Sequence, residues 1–333
     1  MRRQPMLLQM SIVIGVLTGA AGCQSVPVRI LSFIGLSQKP LVILHVVEKP
    51  ATEPRSLGQV LDPFAPSSLL RKALGKQVHR EVVPELCFEF QLDPALRLGS
   101  AHLAFVSPVY YARMRDREEF RIVAVPVDQS GQAARPALLV VPRDADIQQV
   151  EQLRGKSVAF GPANHPRAHI AALKLLEAHG LRKQDLALEA LPLPGSLRHI
   201  EQPRQILLAV MNGSADAGFV DAHGWDRVPE TSDNPKIASR DKFRVLARTA
   251  AVPDELIIAS PKLDETTYEA VREFLLTADA KHPDVLAPLG VKAFEPAGPD
   301  RVAAWMKVLE SGGQAPASAP AGASEGAGDN TGG

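Results

Sequence analysis

Cysteine is scarce in this sequence: Cys23 and Cys87 are the only two in 333 residues. A framework of several disulfides is excluded, so the fold depends on its apolar core. Cys87 stands in the apolar stretch Leu86–Phe90 and reads as a buried thiol. Charge of one sign is also lacking. The chain has 37 Lys and Arg against 37 Asp and Glu, which argues against nucleic-acid binding driven by bulk charge. Beyond the first 17 residues no apolar run is long enough to cross a membrane as a helix. No GxSxG, P-loop, HExxH or CxxC pattern is present. A Ser-His-Asp set can be assembled on paper from Ser107, His165 and Asp221, but no spacing supports it. The expectation is a protein that is not an enzyme and carries no cofactor.

The ends differ from the middle. Arg2 and Arg3 precede the uncharged run Leu7–Leu17, and Ala20-Ala21-Gly22-Cys23 follows. Small residues directly before a cysteine, after such a run, look like the lipobox of a bacterial lipoprotein signal. Residues 1–22 then read as a signal peptide, with Cys23 lipidated and 23–40 as a tether. A plain signal peptide with an incidental Cys23 is the alternative. Lipidation would remove any partner for Cys87 and hold the protein at the extracytoplasmic face of a bacterial membrane. Residues 310–333 are rich in Gly, Ala, Ser and Pro and read as a disordered tail.

Between these ends the composition is that of a globular protein, 45% hydrophobic and 22% charged. Apolar runs of strand length alternate with helical patterns, which indicates an α/β fold with mostly parallel sheets. Strands are expected at Leu41–Val47, Val78–Val83, His102–Val106, Ile122–Val127, Ala137–Val141, Ser157–Phe160, Leu186–Leu193, Ala217–Val220, Val245–Arg248 and Glu255–Ala259. Helices are expected to begin at Asp62-Pro63, Asp93-Pro94 and Ser107-Pro108, where a capping residue precedes a proline at the first helical position. Gly75 would end the first of them.

The stretch Gly155–Gly180 reads as strand, loop and helix. Gly161 and Pro162 break the apolar run, and Ala168, Ala171, Ala172, Leu175 and Leu176 recur at helical spacing before Gly180 stops them. The loop Gly161–Pro166 therefore feeds a helix N-terminus, whose unpaired amides suit an anion. Arg167 would add a full charge there. The alternative is an ordinary crossover with Arg167 in solvent.

Two segments echo each other. Gly99–Ser107 is GSAHLAFVS and Gly213–Asp221 is GSADAGFVD. The echo suggests two similarly built lobes, with Ser107 and Asp221 at strand ends where open α/β sheets receive ligands.

The sequence resembles the periplasmic phosphate, phosphite and phosphonate-binding proteins of ABC transporters, within the type II periplasmic-binding-protein fold. The resemblance spans about residues 41–309. It rests on LDPFA at 61–65, GSAHLAFVSPVYYA at 99–112, QLRGKSVAFG at 152–161, LLAVMNGSADAGFVDA at 207–222 and LAPLGVKAFEPA at 286–297. It implies two lobes, 41–126 plus 259–309 and 127–258, closing on a small anionic solute and delivering it to an ABC permease, as a monomer. It implies that the loop at Gly161–Pro166 holds the anion and that Asp221 accepts from the ligand. It also places Arg135 at a crossover, within reach of the hinge or the cleft.

The sequence departs from that family where the anion should sit. The loop reads Gly161-Pro162-Ala163-Asn164-His165-Pro166-Arg167, without Ser or Thr, and Pro166 removes a donor. Phe88 and Phe90 stand where the family often has a ligand-contacting tyrosine. Asn164, His165 and Arg167 remain as alternative anion donors. His165 and His169, with Asp221 or His223, could instead form a transition-metal site. Tyr110-Tyr111 is similar to the paired tyrosines of ferric-iron-binding relatives. The packing expectation is one tyrosine in the core and Tyr110 at the cleft edge. Ser107 can equally be a helix cap, and Asp221 can cap the turn after it.

Overall fold

The computed structural model describes residues 39–46, 64–189, 195–234 and 237–310. The signal peptide, the lipidation site Cys23, most of the tether, the Asp62-Pro63 helix start, positions 190–193 and the tail from 311 lie outside the described residues. The described residues from Leu41 to Glu310 form one compact unit.

Two mixed sheets organise it. The first has the order β11-β4-β10-β3-β1-β2, with β1 Leu41–Val46, β2 Val82–Cys87, β3 Leu103–Val106, β4 Arg121–Val127, β10 Leu256–Ala259 and β11 Ala293–Glu295. The second has the order β7-β6-β8-β5-β9. Its strands are β5 Ala137–Pro142, β6 Val158–Phe160, β7 Arg198–His199, β8 Ala217–Asp221 and β9 Phe243–Arg248. Parallel pairing holds for β1–β2, β1–β3, β6–β7 and β6–β8. The strands next to the crossovers, β4, β5, β9 and β10, pair antiparallel with their neighbours. The chain passes between the sheets twice, at 128–136 and 249–255. The two passages pair with each other: Arg135 N donates to Val252 O at 3.2 Å, and Val252 N returns a bond to Arg135 O at 3.1 Å.

Helices cover the sheets: α1 Ser68–Gln77, α2 Glu89–Leu98, α3 Pro108–Arg113, α4 Ala172–Ala178, α5 Pro203–Met211, α6 Ala222–Asp226, α7 Glu265–Leu276, α8 Ala278–Lys281 and α9 Pro299–Leu309. A π-turn, Pro166–Ala171, leads into α4. Two apolar clusters flank each sheet. Leu92 and Leu96 of α2 and Ile206, Leu207 and Val210 of α5 are fully buried, as their helical spacing requires. Cys87 is a buried free thiol, and burial raises its pKa.

The sequence echo is an echo in structure. Gly99 and Gly213 both end a helix with positive φ, 74° and 70°. Ser100 Oγ donates to Ala95 O, and Ser214 Oγ donates to Ala209 O. Ala101 N and Ala215 N bond to those same carbonyls. The strands that follow, β3 and β8, both lie inside their sheets; β8 ends on the residue that caps a short helix, and β3 ends one residue before such a cap.

Several boundaries differ from the sequence expectation. The strand expected at Val78–Val83 lies at Val82–Cys87, because α1 runs past Gly75 and the chain turns through His79 at φ 53°. Helix α2 starts at Glu89, and Pro94 sits inside it. The carbonyl that Pro94 leaves unbonded within the helix belongs to Phe90, which is 75% exposed, so water can satisfy it. Leu186–Glu189 makes only isolated bridges, Ser157 with Ala187 and Glu189 with Ser196; the strand beside β6 is Arg198–His199. The short strand β11 was not anticipated.

Gly218, in the centre of the second sheet, allows α5 to sit close. A Cβ there would lie 2.5 Å from Ile206 Cγ2 and 3.1 Å from Val210 Cγ2. Both methyls are branched from a buried helix and cannot swing away. Gly218→Ala is expected to destabilise the protein by about 1–3 kcal/mol through overpacking. Urea denaturation measures this; an unchanged midpoint would contradict the close approach.

Candidate functional site

Strand β6 ends at Phe160, and the loop that follows accounts for its own backbone donors. Gly161 N donates to Ala168 O, and His165 N donates to Pro162 O. Asn164, held at φ 69°, donates its amide to His169 Nδ1 at 3.0 Å. Pro162 and Pro166 have no amide proton. The first amides of the π-turn, Arg167 N and Ala168 N, both donate to His165 Nδ1, at 3.2 and 3.1 Å. His165 therefore does the work of an N-cap side chain, with an imidazole nitrogen in place of a hydroxyl or carboxylate oxygen. From 164 to 168, every amide that exists is already bonded within the protein. The expected anion cradle of free backbone N–H groups is corrected to a self-satisfied turn.

Charge replaces it. Arg167 is buried, with its side chain only 5% exposed, contrary to the solvated alternative. Its Nη2 bonds Asp254 Oδ1 and lies 3.7 Å from Asp221 Oδ1. Its Nε is buried with no hydrogen-bond partner. Asp221 faces Arg167, and its Oδ1 accepts from Gly224 N at 2.9 Å to cap α6, as the capping alternative expects. Asp254, from the second passage between sheets, was not singled out by the sequence.

Arg135 forms a second such group. Its guanidinium is 3.2 Å from Asp128 Oδ2 and 2.5 Å from Asp226 Oδ2, and its Nε is also buried without a partner. Asp226 ends α6 and Asp221 caps it, so one five-residue helix aligns carboxylates with both arginines.

The remaining candidates are engaged elsewhere. Ser107 Oγ accepts from Val109 N and caps α3. Tyr110 Oη donates to Glu89 O at 2.6 Å, and burial pushes its pKa up to about 12. Tyr111 is the core member of the pair, bonding Arg117 O and Phe120 O. Asn164 Oδ1 accepts from Arg113 Nη2 at 3.1 Å, which joins the loop to α3. The structure thus brings together His165, Arg167, Asp221 and Asp254, and leaves Ser107, Tyr110 and Arg135 outside that cluster.

The environments of His165 and His169 favour the neutral imidazole. Burial pushes the His165 imidazole below its usual value, and Arg167 pushes the same way. Burial, followed by the neighbouring His199 and His165, lowers His169 to about 3. With Nδ1 of His165 accepting two amides, the remaining proton belongs on Nε2, which makes that atom a donor. Among the described residues no group of three or more His, Cys, Asp or Glu is placed to hold a metal ion. Nδ1 of His165 and Nδ1 of His169 both accept backbone amides. His165 shares no hydrogen bond with Ser107 among the described contacts, and the paper triad has no geometric support. A groove of about 860 Å³ lies between Arg121 and α9 but includes none of the candidate residues. The buried ion cluster, rather than that open groove, marks the candidate site, since a buried charge needs a reason to be there.

Comparison with known proteins gives the following. The family model described as the periplasmic substrate-binding protein of phosphonate ABC transporters matches residues 50–302. No curated protein sequence matches the chain. Among solved structures, a Xanthomonas citri protein bound to ATP is 17% identical, with TM-score 0.61, covering 82% of this chain and 98% of its own. PhnD1 of Prochlorococcus marinus with methylphosphonate is 17% identical, with TM-score 0.56, covering 81% and 97%. The binding protein of a phosphonate transporter from Pseudomonas aeruginosa is 16% identical, with TM-score 0.52, covering 81% and 86%. These similarities are similarities of fold.

The neutral histidines predict an acid sensitivity. His169 titrates at about 3 and His45 at about 4 when folded, both from an ordinary value of 6.5. Burial is the main cause in each. As pH falls from about 6.5 to about 4, the unfolded chain takes up protons that the folded chain refuses, so stability falls. Carboxylates whose values lie below the usual range, such as Asp128 and Asp264, act only at lower pH. Urea midpoints between pH 7 and 4.5 are expected to decline, and to decline less steeply in His169→Gln. Identical slopes would contradict the assignment.

Proposed function

The chain belongs to the family of periplasmic phosphonate-binding proteins of ABC transporters, and from that premise we propose that it captures a small anionic solute between two lobes. The family is one of transporter binding proteins, not of enzymes, and its place is outside the cytoplasm. The lobes are 41–126 plus 259–309 and 127–258, joined by the two passages. The solute is phosphonate- or phosphate-like, and the closed form presents it to an ABC permease. Lipid on Cys23 holds the protein, as a monomer, at the membrane surface; the lipobox-like Ala20–Cys23 supports this part.

One observation carries the ligand reading. A guanidinium with a 5% exposed side chain stands beside the passage between sheets, with its Nε–H unused. Asp221 lies beside it, and the Nε2–H of His165 would serve as a second, neutral donor. Closure follows from a greater affinity of the solute for the closed arrangement. A second reading is favoured by the self-satisfied loop amides: a binding-protein fold that serves as a sensor or interaction module without transport.

Thermal-shift measurements on the full chain with phosphate, phosphite and methylphosphonate test the proposal. Charge-assisted hydrogen bonds to Arg167 contribute roughly 1.5–3 kcal/mol, so Arg167→Ala is expected to weaken binding about 10- to 100-fold. Arg167→Lys, which keeps the charge and loses the fork, retains part of it. Unchanged affinity in Arg167→Ala would remove the residue from the site. No shift with any of the three anions would favour the module reading.

A further inference from the structure

Resting on the reading of Arg167 as the anion ligand, we propose that Asp254 is the specificity-determining residue of the site. Its carboxylate occupies the place on Arg167 that an anionic solute needs, and a solute enters only by exchanging with it. The two carboxylates around Arg167 are not equivalent. Asp221 is 13% exposed at its side chain and also caps α6. Asp254 is 60% exposed, lies in the passage 249–255, and has Arg167 as its one ion-pair partner among the described residues. Asp254 can swing into water at little cost, whereas Asp221 cannot leave without freeing a helix end.

The guanidinium shows what would displace it. Nε–H and Nη2–H lie on the same side of the guanidinium and form one fork. Asp254 takes Nη2 with a single oxygen and leaves Nε–H without an acceptor. An acceptor whose oxygens span both positions fills the fork. A tetrahedral oxyanion that carries up to two negative charges, such as phosphate or a phosphonate, competes better against a tethered carboxylate than a free carboxylate does. The site therefore selects phosphate-like oxyanions over simple carboxylic acids, through competition with a carboxylate of the protein itself. This selectivity needs neither the missing hydroxyl residues nor the backbone amides that His165 has taken up.

Isothermal titration of the full chain with inorganic phosphate, methylphosphonate and acetate tests the exchange. In the wild-type protein phosphate and methylphosphonate are expected to bind and acetate is not. Asp254→Asn is expected to tighten phosphate binding at least tenfold and to make acetate binding measurable. Asp254→Glu, which restores the competing charge, is expected to return phosphate affinity towards wild type. Equal or weaker phosphate binding in Asp254→Asn, with binding lost in Arg167→Ala, overturns the exchange and leaves the anion site standing. Wild-type affinity in Arg167→Ala, or no anion binding in both wild type and Asp254→Asn, overturns the anion site and the exchange together. Melting curves without ligand establish that each variant is folded.

Discussion

A buried guanidinium is the constraint on which the centre of this molecule depends. Arg167 has almost no access to water. An ion taken from water loses several kcal/mol of hydration, and only close, well-placed counter-charges offset that loss. The requirement fixes the end of β8, where Asp221 stands, and the passage 249–255, where Asp254 stands. Arg135 imposes the same requirement on Asp128 and Asp226. Because Asp221 and Asp226 bracket α6, that short helix cannot rotate without breaking both groups. The hydrogen-bonded passages, Arg135 with Val252, run between the two ion clusters. The junction of the sheets is thus held by charge and by the paired passages together with apolar packing, while each sheet is held by apolar packing.

The loop after β6 uses most of its backbone donors within the protein. Six amides would ordinarily be available between Gly161 and Ala168 once the prolines are discounted. Asn164 N goes to His169, and Arg167 N and Ala168 N go to His165. An imidazole nitrogen accepting two amides must lack its proton there, which agrees with the lowered pKa of His165. A family member with hydroxyl residues at this loop offers its ligand backbone and hydroxyl donors. In this chain five of the six are closed on the protein itself, and the Arg167 cation stands beside the loop. The acceptors a ligand must supply are therefore those that fit a guanidinium fork, which is a demand on geometry more than on hydrogen-bond count.

Local signals in the sequence were enough for what local forces decide. Ser107-Pro108 begins a helix because a capping oxygen and a fixed proline φ act within one turn. The GSA echo was legible because its glycine, serine and alanine each make a bond to the preceding helix. Pro94 misled because its cost depends on whether Phe90 O meets water, and exposure is a tertiary property. The run at 186–189 misled because apolar residues of strand length also serve irregular chain at a sheet edge. Arg167, His165 and Asp221, which the fold brings together, were singled out from strand and helix ends. Asp254 was not, since Val252-Pro253-Asp254 reads as an ordinary loop until the fold brings Arg167 to it. Nor could the sequence reveal that a histidine caps the turn, because imidazole is not among the usual capping groups.

Contacts across the junction are of two physical kinds, and they respond differently to a ligand. Ile170 of the π-turn lies in the apolar cluster that holds Val252, Trp305 and Leu309, and α9 packs on that turn. Such burial is non-directional and persists through small rotations. Arg113 to Asn164 and Arg167 to Asp254 are directional, and a modest displacement breaks them. A solute that takes the place of Asp254 leaves the apolar contact intact and releases the passage 249–255 from the second sheet's cation. Its binding free energy then includes a term that depends on how the passages are arranged. That dependence is what any ligand needs in order to shift a conformational equilibrium, since equal affinity for both arrangements would shift nothing. On the proposed exchange, the carboxylate on the passage is the element through which charge beside Arg167 reaches the segments that join the sheets.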